Sequence, residues 1–142
     1  MVAADFPRVF LVDDHRIVRL GFRRLLEESG TLLVAGEAAS GEEALEKIPQ
    51  VRPDLAIVDI SMKGMDGIEL TRALKRQYPD VRVLVVSMHD ESFYVDRALQ
   101  AGADGYVLKD NVDELMFEAA DEVLAGRRYL CRDIASGRQN RP

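Results

Sequence analysis

Residues 53–70 read PDLAIVDISMKGMDGIEL, and the order of signals in this stretch decides the fold. Pro53 closes a loop, and Leu55 to Val58 follows as an unbroken apolar run. Such a run suits a strand buried on both faces, as in a parallel sheet. Asp66 with Glu69 then forms a capping box, opening a helix whose Ile68, Leu70, Ala73 and Leu74 supply one apolar face. Pro79 stops that helix. A buried strand, an acidic loop and an amphipathic helix make one βα unit.

The same alternation continues outward on both sides. Towards the N-terminus, Val9 to Val12 is a first apolar run, and Ile17, Val18, Gly21, Phe22, Leu25 and Leu26 share a helical face. LLVAGEAA (32–39) reads as a second strand, and Ser40 with Glu43 opens a helix through about Ile48. Towards the C-terminus, Val81 to Val86 is a fourth strand, followed by a helix from about Ser92 to Gln100 that Gly102 ends. Gly105 to Leu108 is a short fifth strand. Asn111 with Glu114 caps a last helix, in which Leu115, Ala119 and Val123 share a face and Gly126 marks the end. Five strands alternating with five helices predict an α/β chain with a doubly wound parallel sheet, because right-handed crossovers leave little else. The first, third and fourth runs are the most aliphatic and belong in the centre. The second and fifth belong at the edges, giving the flavodoxin-like order 2-1-3-4-5.

Composition narrows the function classes. A chain of 142 residues argues for one domain. The net charge of −6 is uneven: residues 127–142 hold five arginines against Asp133, so residues 1–126 carry −10. An acidic body of this size repels nucleic acid, and direct contact with it is not expected from this domain. Residues 1–128 are read as the domain and 129–142 as a C-terminal linker or tail. The single cysteine, Cys131, cannot form an internal disulfide. No apolar run is long enough to cross a bilayer, and the start MVAADFPRVF lacks the pattern of a signal peptide. A cytoplasmic location without membrane contact is expected.

In a parallel sheet all strands end on one edge, where ligands gather. Asp13 and Asp14 follow the first strand, Asp59 the third, Ser87 ends the fourth and Lys109 ends the fifth. Three converging carboxylates resist shared ionisation unless a cation relieves them, and Mg²⁺ suits a few carboxylate oxygens with positions left open. An aspartate can act as a nucleophile toward phosphorus, and phosphoryl transfer needs mainly positioning and charge neutralisation. Any one of these residues alone is more often a turn residue or a solvated charge. Five at one edge argue for a phosphoryl acceptor that lacks the general base of a committed hydrolase.

The segments LVDDHRIVRLGF, VAGEAASGEEALE, PDLAIVDISMKGMDGIEL, VLVVSMHD and ALQAGADGYVLKD closely resemble the receiver domain of bacterial two-component response regulators, with the NarL/FixJ (LuxR-type) subgroup nearest. The resemblance spans roughly residues 8–130. It implies a regulatory switch with at most self-dephosphorylation, in which a sensor histidine kinase phosphorylates Asp59. Asp14, Asp59 and the backbone carbonyl of Ser61 would hold Mg²⁺ directly, with Asp13 reaching it through water. Ser87 would bond the phosphoryl group, Lys109 would pair with its oxygens, and Tyr106 would turn inward as Ser87 moves. Ser61 and His89 match positions that tune the lifetime of the phosphoryl group. Phosphorylation would change an interaction surface, with homodimer formation implied. Members of the subgroup usually carry a DNA-binding domain after the receiver, which is read as absent from this chain; the chain is then the regulatory domain of a transcriptional regulator, with a free-standing receiver acting on a protein partner as the alternative.

Two departures from the family pattern stand out. Met62-Lys63 replaces the usual methionine–proline, adding a cation near the metal site, and Asp110 follows Lys109 where proline is common. The competing class is a Mg²⁺-dependent phosphatase of the haloacid dehalogenase type. That type places a DxD arrangement at the first strand, whereas Asp13 and Asp14 are adjacent here and the nucleophile candidate follows the third strand. His15 and His89 are far apart and lack zinc-ligand spacing, so His15 is expected at the start of the first helix and His89 in a loop. The glycines between Gly36 and Gly41 fail as a P-loop because Glu42 and Glu43 replace its Lys and Ser/Thr.

Overall fold

The computed structural model describes residues 6–89 and 92–130. Cys131 and the arginines beyond it lie outside the described residues. The elements run β1 (Arg8–Val12), α1 (Arg16–Glu28), β2 (Leu33–Ala38), α2 (Gly41–Val51), β3 (Leu55–Asp59), α3 (Gly67–Gln77), β4 (Arg82–Ser87), α4 (Ser92–Gln100), β5 (Gly105–Leu108), α5 (Val112–Leu124) and β6 (Tyr129–Leu130). One turn of 3₁₀ helix, Lys109–Asn111, joins β5 to α5. The sheet is parallel throughout, in the order β2-β1-β3-β4-β5-β6.

Alternation along the strands divides the core into two layers. Phe10, Val12, Ala56, Val58, Val83, Val85 and Tyr106 face α2, α3 and α4, where Ile48, Leu70, Leu74 and Val95 meet them. Val9, Leu11, Leu55, Ile57, Leu84, Val86 and Val107 face α1 and α5, where Phe22, Leu26, Met116, Ala119 and Val123 complete the second layer. Both faces of β1, β3 and β4 are therefore dry, which is why those strands read as continuous aliphatic runs.

The sixth strand corrects two expectations. Gly126, at φ +89°, turns the chain after α5, and Tyr129 N–H donates to the Asp104 carbonyl at 3.0 Å. Tyr129 and Leu130 then pair with Gly105 and Tyr106, so β5 is an inner strand and the sheet has six strands rather than five. Two residues placed in the tail thus belong to the sheet. Ile17 is a smaller correction: it sits on α1 but is 76% exposed, facing away from Phe22 and Leu26.

The caps divide in the same way. Asp66 and Glu69 form the full reciprocal box at the start of α3. Ser40 accepts from Glu43 N–H at 3.1 Å, but the Glu43 carboxylate takes the N–H of Ala39 rather than that of Ser40. α2 continues through Pro49 to Val51, three residues past the expected end, and Arg52 closes it at φ +53°. At α5 the 3₁₀ turn occupies the approach, and Asn111 makes no side-chain capping bond. Among the described residues, no helix is long and apolar enough to cross a membrane.

Candidate functional site

Every residue singled out for phosphoryl chemistry lies at or next to the C-terminal edge of the sheet. β1 delivers Asp13 and Asp14, β3 ends in Asp59, β4 ends in Ser87, and Lys109 follows β5. Asp13 and Asp59 are 1% and 3% exposed, so two carboxylates are buried side by side. Lys109 Nζ bridges them, at 3.2 Å from Asp13 Oδ2 and 3.3 Å from Asp59 Oδ1. Burial, and then the Asp13 charge, push the Asp59 carboxyl above its ordinary range, while Lys109 pulls against them.

The oxygens of the three aspartates are not equivalently satisfied. Asp13 Oδ1 accepts the His15 backbone N–H at 2.8 Å, and Asp13 Oδ2 accepts from Lys109. Asp59 Oδ1 accepts from Lys109 and, at 3.4 Å, from Ser61 N–H. Asp59 Oδ2 and Asp14 Oδ1 are buried with no hydrogen-bond partner. Orphaned carboxylate oxygens in a dry place are costly, and a cation is the natural way to satisfy them. Asp13, Asp14, His15 and Asp59 each offer one ligand atom, all within 4.8 Å of one another.

Around this centre the backbone of residues 87–89 holds the switch candidates. Ser87 is fully buried, and its Oγ accepts the His89 N–H at 3.0 Å. Tyr106 is also fully buried, already inside, and its hydroxyl donates to the His89 carbonyl at 2.7 Å. His89 stacks on Tyr94 with ring centroids 4.1 Å apart, and its Nε2 stands 3.4 Å from Ser61 Oγ. Lys63 is exposed in the loop before α3.

Three contributors were not legible as such in the sequence. His15 caps α1 as expected, yet its ring joins the acidic cluster, which its position directly after Asp13-Asp14 could have suggested. Arg19 donates to the Asp13 carbonyl at 2.6 Å and pairs with Glu37 on β2, fixing the end of β1. Gly67 opens α3 against the backbone of Asp59, and its signal was a glycine directly after the capping aspartate.

The family model described as response regulator receiver domain matches residues 9–121. The response regulator GacA of Pseudomonas viridiflava is 43% identical over 128 residues, covering 90% of this chain and 60% of that protein. UvrY of Escherichia coli is 39% identical over 127 residues, covering 89% of this chain and 58% of that protein. The chain thus spans about 60% of the length of these curated relatives. Among solved structures, a LuxR-family two-component response regulator from Aurantimonas sp. SI85-9A1 superposes with a TM-score of 0.89 at 39% identity, covering 93% of this chain and 94% of that chain. The signal receiver domain of the putative response regulator NarL from Mycobacterium tuberculosis gives 0.80 at 42% identity, covering 86% and 98%. The chain belongs to the response regulator receiver domains, the phosphorylation-dependent switches of two-component systems.

Proposed function

We propose that Asp59 is the phosphoacceptor, that Asp14 and Asp59 hold Mg²⁺ directly, and that Asp13 contacts it through water. The observation that carries this reading is the division of carboxylate oxygens. Asp14 Oδ1 and Asp59 Oδ2 are buried and accept no hydrogen bond, whereas both oxygens of Asp13 accept hydrogen bonds, from His15 and Lys109. The Ser61 backbone carbonyl supplies a further ligand in this reading. When bound, Mg²⁺ neutralises the carboxylates and the incoming phosphoryl oxygens.

The side chains divide the remaining work. An Asp59 oxygen attacks phosphorus on the phosphohistidine of a sensor kinase; the P–N bond breaks as the P–O bond of an acyl phosphate forms. Lys109, 3.3 Å from Asp59 Oδ1, is placed to pair with the transferred oxygens. Ser87 Oγ leaves the His89 N–H to bond the phosphoryl group. Because Tyr106 holds the neighbouring His89 carbonyl, that movement reaches β5 and α4. Ser61 and His89, 3.4 Å apart, flank the approach to the phosphoryl group and set its lifetime.

In the full-length protein this domain regulates a transcription factor in the cytoplasm, with DNA bound by a separate domain that the chain after β6 leads toward. Phosphorylation promotes self-association through one of two faces. Met88 and Phe93 are exposed near α4, and Ile17 and Leu20 are exposed on α1. Intact-mass spectrometry after incubation with a small phosphodonor and Mg²⁺ tests the central step. One phosphoryl adduct is expected on the wild type and none on Asp59→Asn; an undiminished adduct on the variant would overturn the assignment.

A further inference from the structure

The acidic edge holds one group that phosphoryl transfer does not use, the imidazole of His15. Its backbone N–H is anchored on Asp13 Oδ1 at 2.8 Å, which sets the ring beside the cluster. Nδ1 hydrogen-bonds Asp13 Oδ1 at 3.2 Å, a bond that a metal on this nitrogen would replace, and lies 2.9 Å from Asp14 Oδ1. The shorter contact lacks hydrogen-bond geometry, since Asp14 Oδ1 has no hydrogen-bond partner despite the distance. Two neighbouring ligands, each about 2.1 Å from one ion, stand about 3 Å apart in octahedral and about 3.4 Å apart in tetrahedral coordination, so a small shift of the exposed His15 ring brings this nitrogen and this oxygen to either spacing. Asp59 Oδ2 faces the same cluster, buried and without a partner in a residue only 3% exposed.

We propose that this edge takes a nitrogen-accepting divalent ion of the Co²⁺ or Zn²⁺ class through His15 Nδ1 together with Asp14 and Asp59, in competition with Mg²⁺. The inference rests on the reading of the acidic edge as a cation site and adds a choice between ions. Mg²⁺ takes oxygen ligands and keeps several waters, so an imidazole offers it little. Co²⁺ and Zn²⁺ bind imidazole readily and gain a ligand that Mg²⁺ does not use. The His15 side chain is 64% exposed, so it swings away from an all-oxygen site without breaking core contacts. One histidine therefore separates the two classes of ion.

The test uses residues 1–142 carrying Cys131→Ser, which keeps the thiol from contributing a ligand. Separate calorimetric titrations with Mg²⁺ and Co²⁺ are compared across this protein, His15→Gln and Asp59→Asn, and the Co²⁺ form is examined by proton NMR for a hyperfine-shifted, exchangeable imidazole N–H. His15→Gln is expected to weaken Co²⁺ by about tenfold or more, to leave Mg²⁺ within about twofold, and to abolish the shifted resonance. Asp59→Asn is expected to weaken both ions. Equal responses of Co²⁺ and Mg²⁺ to His15→Gln, or no shifted resonance before substitution, would overturn the role of His15 alone. If neither ion binds, or Asp59→Asn leaves both affinities unchanged, the cation site itself is wrong.

Discussion

A Cβ placed on Gly67 would stand 2.2 Å from the backbone carbonyl oxygen of Asp59. The first residue of α3 therefore presses on the last residue of β3, with the Gly67 N–H donating to the Ile60 carbonyl at 2.9 Å. Residues 60–66 form a closed loop between these contacts, so the start of α3 sets where the Asp59 backbone lies.

Gly67→Ala forces backbone against a methyl group, and no side-chain rotation relieves it. The substitution is expected to cost about 1–3 kcal/mol, read from the urea midpoint, and to weaken Mg²⁺ binding. Gly21→Ala is the contrast, since a Cβ there meets nothing within 4 Å. In a helix that change is worth up to about 1 kcal/mol of added stability. Equal behaviour of the two variants would mean that α3 shifts freely relative to β3.

Asp59→Asn is expected to stabilise the metal-free domain. Burial and the Asp13 charge outweigh the pull of Lys109, so the ionised Asp59 carboxylate is a net burden on the fold. Removing it should raise the metal-free melting temperature by about 2–5 °C, roughly 1 kcal/mol. With Mg²⁺ at about 100 times its Kd, the wild type gains about 2.7 kcal/mol and the variant gains little. Paired thermal scans with and without Mg²⁺ decide it, and a variant that melts lower in EDTA contradicts the account.

Glu37 supplies a pH dependence remote from the metal. Hydrogen bonds from Arg19 and Arg23 hold its carboxyl below the ordinary 4.5. The folded state thus binds the proton more weakly than the unfolded state. The stabilisation is fully present above the unfolded value and is lost as pH falls through the lower folded value. Stability measured from pH 6 downward should therefore fall less steeply below about 4.5 in Glu37→Gln than in the wild type. The variant should also be the less stable protein at pH 7, and identical slopes would show that the Arg19–Glu37–Arg23 bridge contributes nothing.

Much of this arrangement was legible because its causes are local in the sequence. Leu55 to Val58 had to be a doubly buried strand, and Asp66 with Glu69 had to start a helix, so the carboxylates were assigned to one edge by topology. Tyr129 and Leu130 were misread because two residues carry no periodicity, and only the turn at Gly126 aligns them with β5. Ile17 was misread because an apolar residue at the margin of a helical stripe is compatible with either side. Gly67 and His15 act through contacts with backbone and ring atoms that residue spacing does not encode. The Arg19 bond to the Asp13 carbonyl is hidden for the same reason.

The claim that Asp59 receives the phosphoryl group is tested most directly by locating the acyl phosphate. Borohydride reduction of the phosphorylated domain cleaves an aspartyl phosphate to homoserine, which peptide mass spectrometry then places in the sequence. Homoserine is expected at residue 59, with Asp13 and Asp14 intact. Homoserine at residue 13 or 14, or a phosphoryl adduct that borohydride leaves untouched, would contradict it.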